Sequence, residues 1–368
     1  SEACLQLAKS WLKKCQTSHK ACNCLSEDPL LPTRVLNVGN SSSDIRLCLA
    51  EGQRAQYVTL SHGWGSQSNH ALITTKDSTE DRMRSIEFDA HSKTFAQAAV
   101  ATRALGIQYL WIDSLCIVQD SEEDWSRESQ KMGEIYNNAT VTLAADAAQN
   151  ASQGLFPDSN ERSLAHKMRK ISCPGPNGTT SSIRVRGFHD DPSNLKNLFH
   201  SSIASTQSKL STRGWVIQES TLSPRMLYFA KEEMYWVCST LSRCECKVRP
   251  GQAPSSLFRR PFRAFQSLST NSDVQFLRDL YFEWPLLVMD FTRRDLTRES
   301  DRLPALSGLA DWMQRQTDDI YLCGLWAGAL VFELLWYAET STQETHRRLK
   351  EPYAPSWSWA SITGPVTY

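Results

Sequence analysis

Leu5, Leu7, Ala8, Trp11 and Leu12 recur at helical spacing and predict an amphipathic first helix, which runs into Cys15, His19, Cys22 and Cys24. Thr33-Arg-Val-Leu-Asn-Val and Ile45-Arg-Leu-Cys-Leu then alternate around Gly39-Asn-Ser-Ser-Ser-Asp, the pattern of a hairpin. Tyr57-Val-Thr-Leu-Ser is a short apolar run, read as a buried strand that ends at His62-Gly-Trp-Gly. From Lys93 to Leu105, Phe95, Ala98, Ala99, Ala101, Thr102 and Leu105 mark a helix, with Gly106 where a left-handed cap is common. Tyr109-Leu-Trp-Ile predicts the next strand, whose apolar end continues through Ser114-Leu-Cys-Ile. Ser121 and Asp124 are spaced as a capping box ahead of a helix carrying Trp125, Glu128, Met132, Ile135 and Tyr136, and Ala139-Thr-Val-Thr-Leu-Ala predicts a third strand.

This alternation of strand and helix predicts a parallel sheet with right-handed crossovers, so residues 55–146 read as an α/β core. Residues 147–210 are rich in Ser, Asn, Gly and Pro and read as a long insertion, after which Arg213-Gly-Trp-Val-Ile-Gln-Glu resumes the core. Residues 249–275 form another polar connection. Residues 276–345 read as mainly helical, the apolar stretch Leu325–Trp336 included, while Tyr353–Ser361 is too punctuated by Pro and Ser for a helix. The expected division is 1–54 (helix, cysteine cluster, hairpin), 55–246 (α/β core with its insertion) and 247–368 (helical extension packed on the core).

Charge removes some functions. Lys plus Arg number 40 and Asp plus Glu number 40, so no global field draws the chain to nucleic acid or an acidic membrane. No apolar run of about 18 residues and no leader pattern are present, so a soluble cytoplasmic protein without a membrane span is expected. The 11 cysteines are mostly scattered, which reads as buried thiols rather than a disulfide framework. The glycosylation triplets at Asn40, Asn138, Asn150 and Asn177 are read as unmodified. Starting at Ser1 and ending at Tyr368 in an aromatic-rich stretch, the sequence reads as part of a longer chain.

Three blocks in order carry a family resemblance: Tyr57-Val-Thr-Leu-Ser-His-Gly-Trp-Gly; Tyr109-Leu-Trp-Ile-Asp-Ser-Leu-Cys-Ile-Val-Gln-Asp with Trp125, Glu128, Met132 and Ile135-Tyr136; and Arg213-Gly-Trp-Val-Ile-Gln-Glu with Leu222-Ser-Pro-Arg. Together they resemble the heterokaryon-incompatibility (HET) domain of fungal cell-death proteins, and Ala354-Pro-Ser-Trp-Ser-Trp-Ala-Ser is similar to a segment common on the C-terminal side of that domain in such proteins. HET domains in turn resemble Toll/interleukin-1 receptor (TIR) domains, several of which cleave NAD. The resemblance implies a TIR-like, flavodoxin-like parallel sheet flanked by helices. It implies Leu60-Ser61-His62 as the loop after the first strand, Asp113 as the acidic end of the second, and Trp215-Val-Ile-Gln-Glu219 as the Trp-x-x-x-Glu motif. The long segment between Leu143 and Trp215 departs from the TIR pattern.

The activity so implied is hydrolysis of NAD at the nicotinamide–ribose bond, with NAD or a related nucleotide as substrate and no resident cofactor. Homo-oligomerisation on activation and a regulatory partner domain or protein come with it. The departing pyridinium becomes neutral as charge builds on the ribose, so one carboxylate, Glu219, can carry much of the catalysis. Ser61, His62 and the Gly63 backbone would supply hydrogen bonds, Trp64 or Trp215 a stacking face, and Asp113 a ligand contact.

Each residue also has a structural reading: Glu219 paired with Arg213 or Arg225, Asp113 capping the next turn, the tryptophans as wall. Cys116 with His62 invites a nucleophile–base reading, but its apolar setting favours a buried thiol. Cys15, His19, Cys22 and Cys24, with Cys238, Cys244 and Cys246 as further donors, resemble a zinc cluster whose spacing is not that of a standard ribbon, so no bound metal is expected. Two rivals to the hydrolase stand: a non-enzymatic homotypic module that triggers death by assembly, and the same scaffold running another small-molecule reaction.

Overall fold

The computed structural model describes residues 1–22, 28–65, 72–156, 168–174, 180–186, 208–231, 233–245, 251–252, 274–340 and 346–368. Up to the insertion its elements are α1 (Glu2–Ser18), β1 (Arg34–Asn37), β2 (Arg46–Leu49), β3 (Tyr57–Ser61), α2 (Thr79–Arg84), α3 (Lys93–Leu105), β4 (Tyr109–Trp111), α4 (Asp113–Cys116), α5 (Glu122–Asn138) and β5 (Val141–Ala144). They continue as β6 (Met168–Pro174), β7 (Thr180–Arg186), α6 (Trp215–Leu222), β8 (Arg225–Phe229), β9 (Met234–Cys238), β10 (Leu241–Cys244), β11 (Gly251–Gln252), α7 (Val274–Thr292), α8 (Pro304–Thr317) and α9 (Leu330–Glu333).

The central sheet runs β11-β10-β9-β8-β5-β3-β4-β1-β2. Its middle is parallel, β4 to β3 to β5 to β8, and its wings are antiparallel hairpins. Every residue of β3 and β5 is buried, which explains why both read as near-continuous apolar runs. The chain leaves β3 for β4 on one side and then crosses to β5 on the other. The carboxyl ends of β3 and β5 therefore flank a topological switch point, where open α/β sheets bind ligands. The architecture is the expected α/β one, a parallel centre flanked by helices, with the 33–49 hairpin added at one edge.

Local signals held where their partners lie close in sequence. Gly106 ends α3 with φ 83°, as its position predicted. Ser121 caps α5 by accepting from the Asp124 amide at 3.4 Å. The return half of the expected box is absent, because the Asp124 carboxylate is taken by Arg34, by the Val118 amide at 2.8 Å and by Arg127. Two expectations are corrected. Ser114-Leu-Cys116 does not prolong β4 but forms α4, whose first turn begins at Asp113. Leu325–Trp336 is not one helix. Cys323 (φ 46°) and Gly324 (φ 104°) turn the chain into a small hairpin, Tyr321–Leu322 with Leu325–Trp326, and the rest of the run holds only the 3-10 turn Ala327–Ala329 and the short α9.

Two large apolar clusters and a smaller one, with Leu210, Val216, Met226 and Tyr228, fill the interior. One lies in and around the sheet, with Tyr57, Phe95, Trp111, Tyr136 and Trp236. The other joins Ile217 and Leu222 of α6 to Trp284, Phe291, Trp326 and Trp359, and Trp215 packs against both. Helices α5 and α8 meet at a pair of glycines: a Cβ on either Gly133 or Gly308 would lie 2.6 Å from the other's Cα. Gly133→Val is expected to force the helices apart and lower stability by roughly 1–3 kcal/mol, read as a lower urea midpoint at unchanged slope.

Candidate functional site

The site is positioned by a row of hydroxyls. Thr59 and Ser61 stand two apart on β3 and so face the same side of the sheet. Thr59 Oγ1 lies 2.6 Å from Thr142 Oγ1 on β5, and Thr142 Oγ1 lies 2.6 Å from Ser223 Oγ just after α6. The Ser223 hydroxyl donates to the Glu219 carbonyl at 2.5 Å. This chain fixes α6 over the β3–β5 seam, and one turn back from Ser223 the Glu219 side chain reaches the carboxyl end of β3, where Ser61 stands.

Glu219 is 3% exposed. Its pKa is pushed up to about 7 by burial first, with the Asp113 charge adding, while Arg213 and the hydroxyls of Ser61 and Tyr136 draw it down. Neither Glu219 Oε2 nor Ser61 Oγ completes a well-formed hydrogen bond among the described residues. A buried carboxyl whose pKa is raised towards neutrality, with acceptor capacity left over, therefore sits at the switch point. Arg213 acts on it through space only: its Nη1 donates to the His62 carbonyl. Arg225, the alternative partner read from the sequence, points elsewhere, to Cys15, Cys22 and Thr140.

The loop after β3 is held from below by Asp113. One carboxylate oxygen accepts from the Ser114 amide at 2.7 Å, the other from Trp64 Nε1 at 2.9 Å, and His62 Nδ1 lies 3.7 Å away. Asp113, the first residue of α4 rather than its N-cap, thus holds the first turn of that helix and organises the loop as well. Burial pushes the His62 pKa down to about 4, with Arg213 adding and Asp113 opposing, so at neutral pH the ring is uncharged. It rests edge-on against Phe95 at 5.0 Å, and its Nε2 is buried without a partner among the described residues. Gly63 must be glycine, since a Cβ there would lie 2.7 Å from the Gln149 carbonyl oxygen.

Ser61, His62, Asp113 and Glu219 are therefore brought together, with Gly63 and Trp64 on the same loop. Trp215 is set apart: its indole donates to Asp301 at 3.0 Å, beside the second core. Tyr136 and Arg213 belong to the site; from the sequence, Tyr136 had no role in it and Arg213 only one as a structural partner for Glu219. The signal for both was present, since each lies within a family block and Tyr136 falls on the buried face of α5. Cys116 is fully buried and its thiol is pushed up to about 12 by that burial, which leaves it inert as a nucleophile. A cavity of about 870 Å³ lined by Asp44, Arg46, Arg84 and Arg103 opens beside the β1–β2 turn, at the opposite end of the parallel strands.

Cys15, His19 and Cys22 converge with Cys238 on that opposite end as well. Cys244 is buried on β10 outside this group, and Cys24 and Cys246 lie outside the described residues. Among the described residues no helix is long and apolar enough to cross a membrane.

Residues 57–219, which span the whole site from β3 to Glu219, match the family described as Heterokaryon incompatibility protein (HET). No curated protein and no solved structure matches the chain.

Proposed function

Starting from a chain whose residues 57–219 are a heterokaryon-incompatibility (HET) domain, we propose a cell-death effector that hydrolyses NAD at the nicotinamide–ribose bond. The observation that carries this reading is Glu219: a buried carboxyl at the switch point of a parallel sheet, with acceptor capacity left over and a serine, a tyrosine and an arginine around it. The bond between ribose C1′ and the pyridinium nitrogen breaks with its electron pair passing to nicotinamide. Water adds to C1′ and releases a proton, giving ADP-ribose. The Glu219 carboxylate opposes the positive charge that builds on the ribose and accepts from its hydroxyls. Ser61 and the Gly63 amide would hold the same sugar or its phosphate, and neutral His62 would contribute a hydrogen bond rather than a charge.

Because Glu219 is 3% exposed, this form of the molecule is closed. Substrate entry requires the elements over the carboxyl to part, which fits an activity raised by self-association in the cytoplasm. The test is nicotinamide release from NAD by the purified chain at low and high protein concentration, for wild type and Glu219→Gln. Release that grows more than linearly with protein and is lost in the variant supports the hydrolase.

The second reading, a module that kills by assembly alone, is favoured by one observation. Val331 (87% exposed), Phe332, Leu334, Leu335 and Tyr337 form an exposed apolar run on and after α9. Under that reading Val331→Asp with Leu335→Asp abolishes concentration-dependent association and toxicity, while Glu219→Gln leaves both intact. Sedimentation velocity and a cell-death assay on the two variants separate the readings.

A further inference from the structure

Four buried side chains at the far end of the sheet are arranged as a metal-ligand set. Cys15 lies in the last turn of α1, and His19 is its C-cap, where the chain turns to an extended conformation. Cys22 closes the 3-10 turn Lys20–Cys22, and Cys238 is the last residue of β9. One ligand atom from each lies within 4.8 Å of all the others. His19 Nδ1 is 3.5 Å from Cys238 Sγ and 4.0 Å from Cys22 Sγ. A tetrahedron with Zn–S of about 2.3 Å and Zn–N of about 2.0 Å has edges of roughly 3.8 Å between sulfurs and 3.5 Å between sulfur and nitrogen. The His19–Cys238 contact already has the length of such an edge, and the remaining separations, all within 4.8 Å, need only a small contraction to reach it.

The charges around the set point the same way. Three thiolates with a divalent ion carry one net negative charge, which a buried site must balance. Arg225, at the start of β8, is 5% exposed and directs Nε at Cys15 Sγ over 3.3 Å. The Cys22 carbonyl at 2.7 Å and the Thr140 carbonyl at 3.2 Å hold it there, and among the described residues no carboxylate pairs with it. Thr240 Oγ1 lies 3.4 Å from Cys22 Sγ, placed to donate to a thiolate. A buried guanidinium aimed at sulfur and lacking an acidic partner is accounted for if the sulfurs together carry negative charge.

We infer that Cys15, His19, Cys22 and Cys238 bind one structural Zn²⁺ through three thiolates and the His19 Nδ1 nitrogen, with Arg225 as the balancing charge. The closed four-donor set leaves no open position, so the ion ties α1 to β9 rather than catalysing. Zinc enters as the hydrated ion, sheds its waters, and each thiol that ligates releases its proton to solvent. The sequence named these four residues among the possible donors, but spacing alone could not choose Cys238 over Cys24, Cys244 and Cys246, because it stands 219 positions from His19.

The full chain, purified without chelators, is expected to carry one zinc per molecule by elemental mass spectrometry. After metal removal, titration with Co²⁺ should give the intense ligand-field bands of tetrahedral cobalt together with thiolate-to-cobalt charge transfer. Cys238→Ser and His19→Ala should lose the stoichiometric metal. His19→Cys, which restores a four-donor set, and Cys48→Ser, outside the cluster, should keep it. Arg225→Met should weaken cobalt affinity by about 10–100-fold. A wild-type chain that emerges without zinc and gives only the weak spectrum of octahedral cobalt overturns the site, as does a disulfide between two of the three cysteines. Because those readouts are made on the wild type, misfolding of a variant cannot mimic them.

Discussion

Glu219→Gln is expected to reduce nicotinamide release by at least about 10²-fold, the usual scale for removing a group that faces developing charge in a closed site. The same substitution should leave the folded chain intact, because the amide has the carboxyl's shape and carries no charge that needs solvating. The pH dependence sharpens the test. The carboxyl titrates near 7 when folded against an ordinary value of 4.5, and it is the ionised form that stabilises positive charge. Release should therefore climb from pH 6 to 8 in wild type. Stability runs in the opposite direction. A carboxyl whose folded pKa is raised imposes no penalty below about 4.5, where both states are protonated, and its full penalty above about 7, where both are ionised. Between those limits wild type should lose of the order of 2–3 kcal/mol relative to Glu219→Gln. Thermal melts of both proteins at pH 5 and pH 8 read this directly. Parallel melts at the two pH values would mean that the carboxyl is not buried in solution.

Asp124→Ala should be the most destabilising single change outside the two cores, by roughly 3–5 kcal/mol, because it leaves a buried cation without its counter-ion. Arg34 on β1 is 8% exposed and pairs with Asp124 on α5, while its Nε donates to the Cys116 carbonyl at 2.7 Å. Asp124 also accepts from the Val118 amide, so one carboxylate ties the edge hairpin, the end of α4 and the first turn of α5 together. Next to it Glu128, also buried, accepts from Thr33 at 3.0 Å and pairs with Arg127 and Lys131. Replacing Arg34 and Asp124 together by Met and Leu should recover much of the loss, since an apolar pair of similar volume avoids the desolvation. Urea denaturation of the two single variants and the double variant measures the coupling. Additive losses would show that the pair does not interact in solution.

The parts of this molecule that were legible in its sequence are those whose cause is local. The runs at Tyr57, Tyr109 and Val141 became the parallel strands, and Gly106 ended its helix, because burial period and backbone freedom are properties of a few adjacent residues. Glu219 lies on a helix, α6, although a long insertion precedes it. What failed was settled at a distance. Apolar character alone could not tell that Ser114-Leu-Cys116 turns into a helix, since both alternatives bury the same side chains. The run after Leu325 was misread because two left-handed residues just before it redirect the chain. Arg225 was read as a partner for Glu219 only because it is near in sequence, while the fold turns it to the opposite end of the sheet.

Trp215 and Glu219 occupy one two-turn helix, yet they answer to different parts of the molecule. The first is tethered to Asp301 in the 3-10 turn Glu299–Arg302, and the second is set into the sheet. A segment this short has no internal hinge, so it behaves as a lever with a handle at each end. Any ligand or neighbour that prefers a shifted position of the Glu299–Arg302 turn must change the standing of the carboxyl, and whatever occupies the carboxyl's pocket must change affinity at that turn by the same factor. The Glu299–Arg302 turn is thereby a place from which the position of the Glu219 carboxyl can be set without any contact with the sheet.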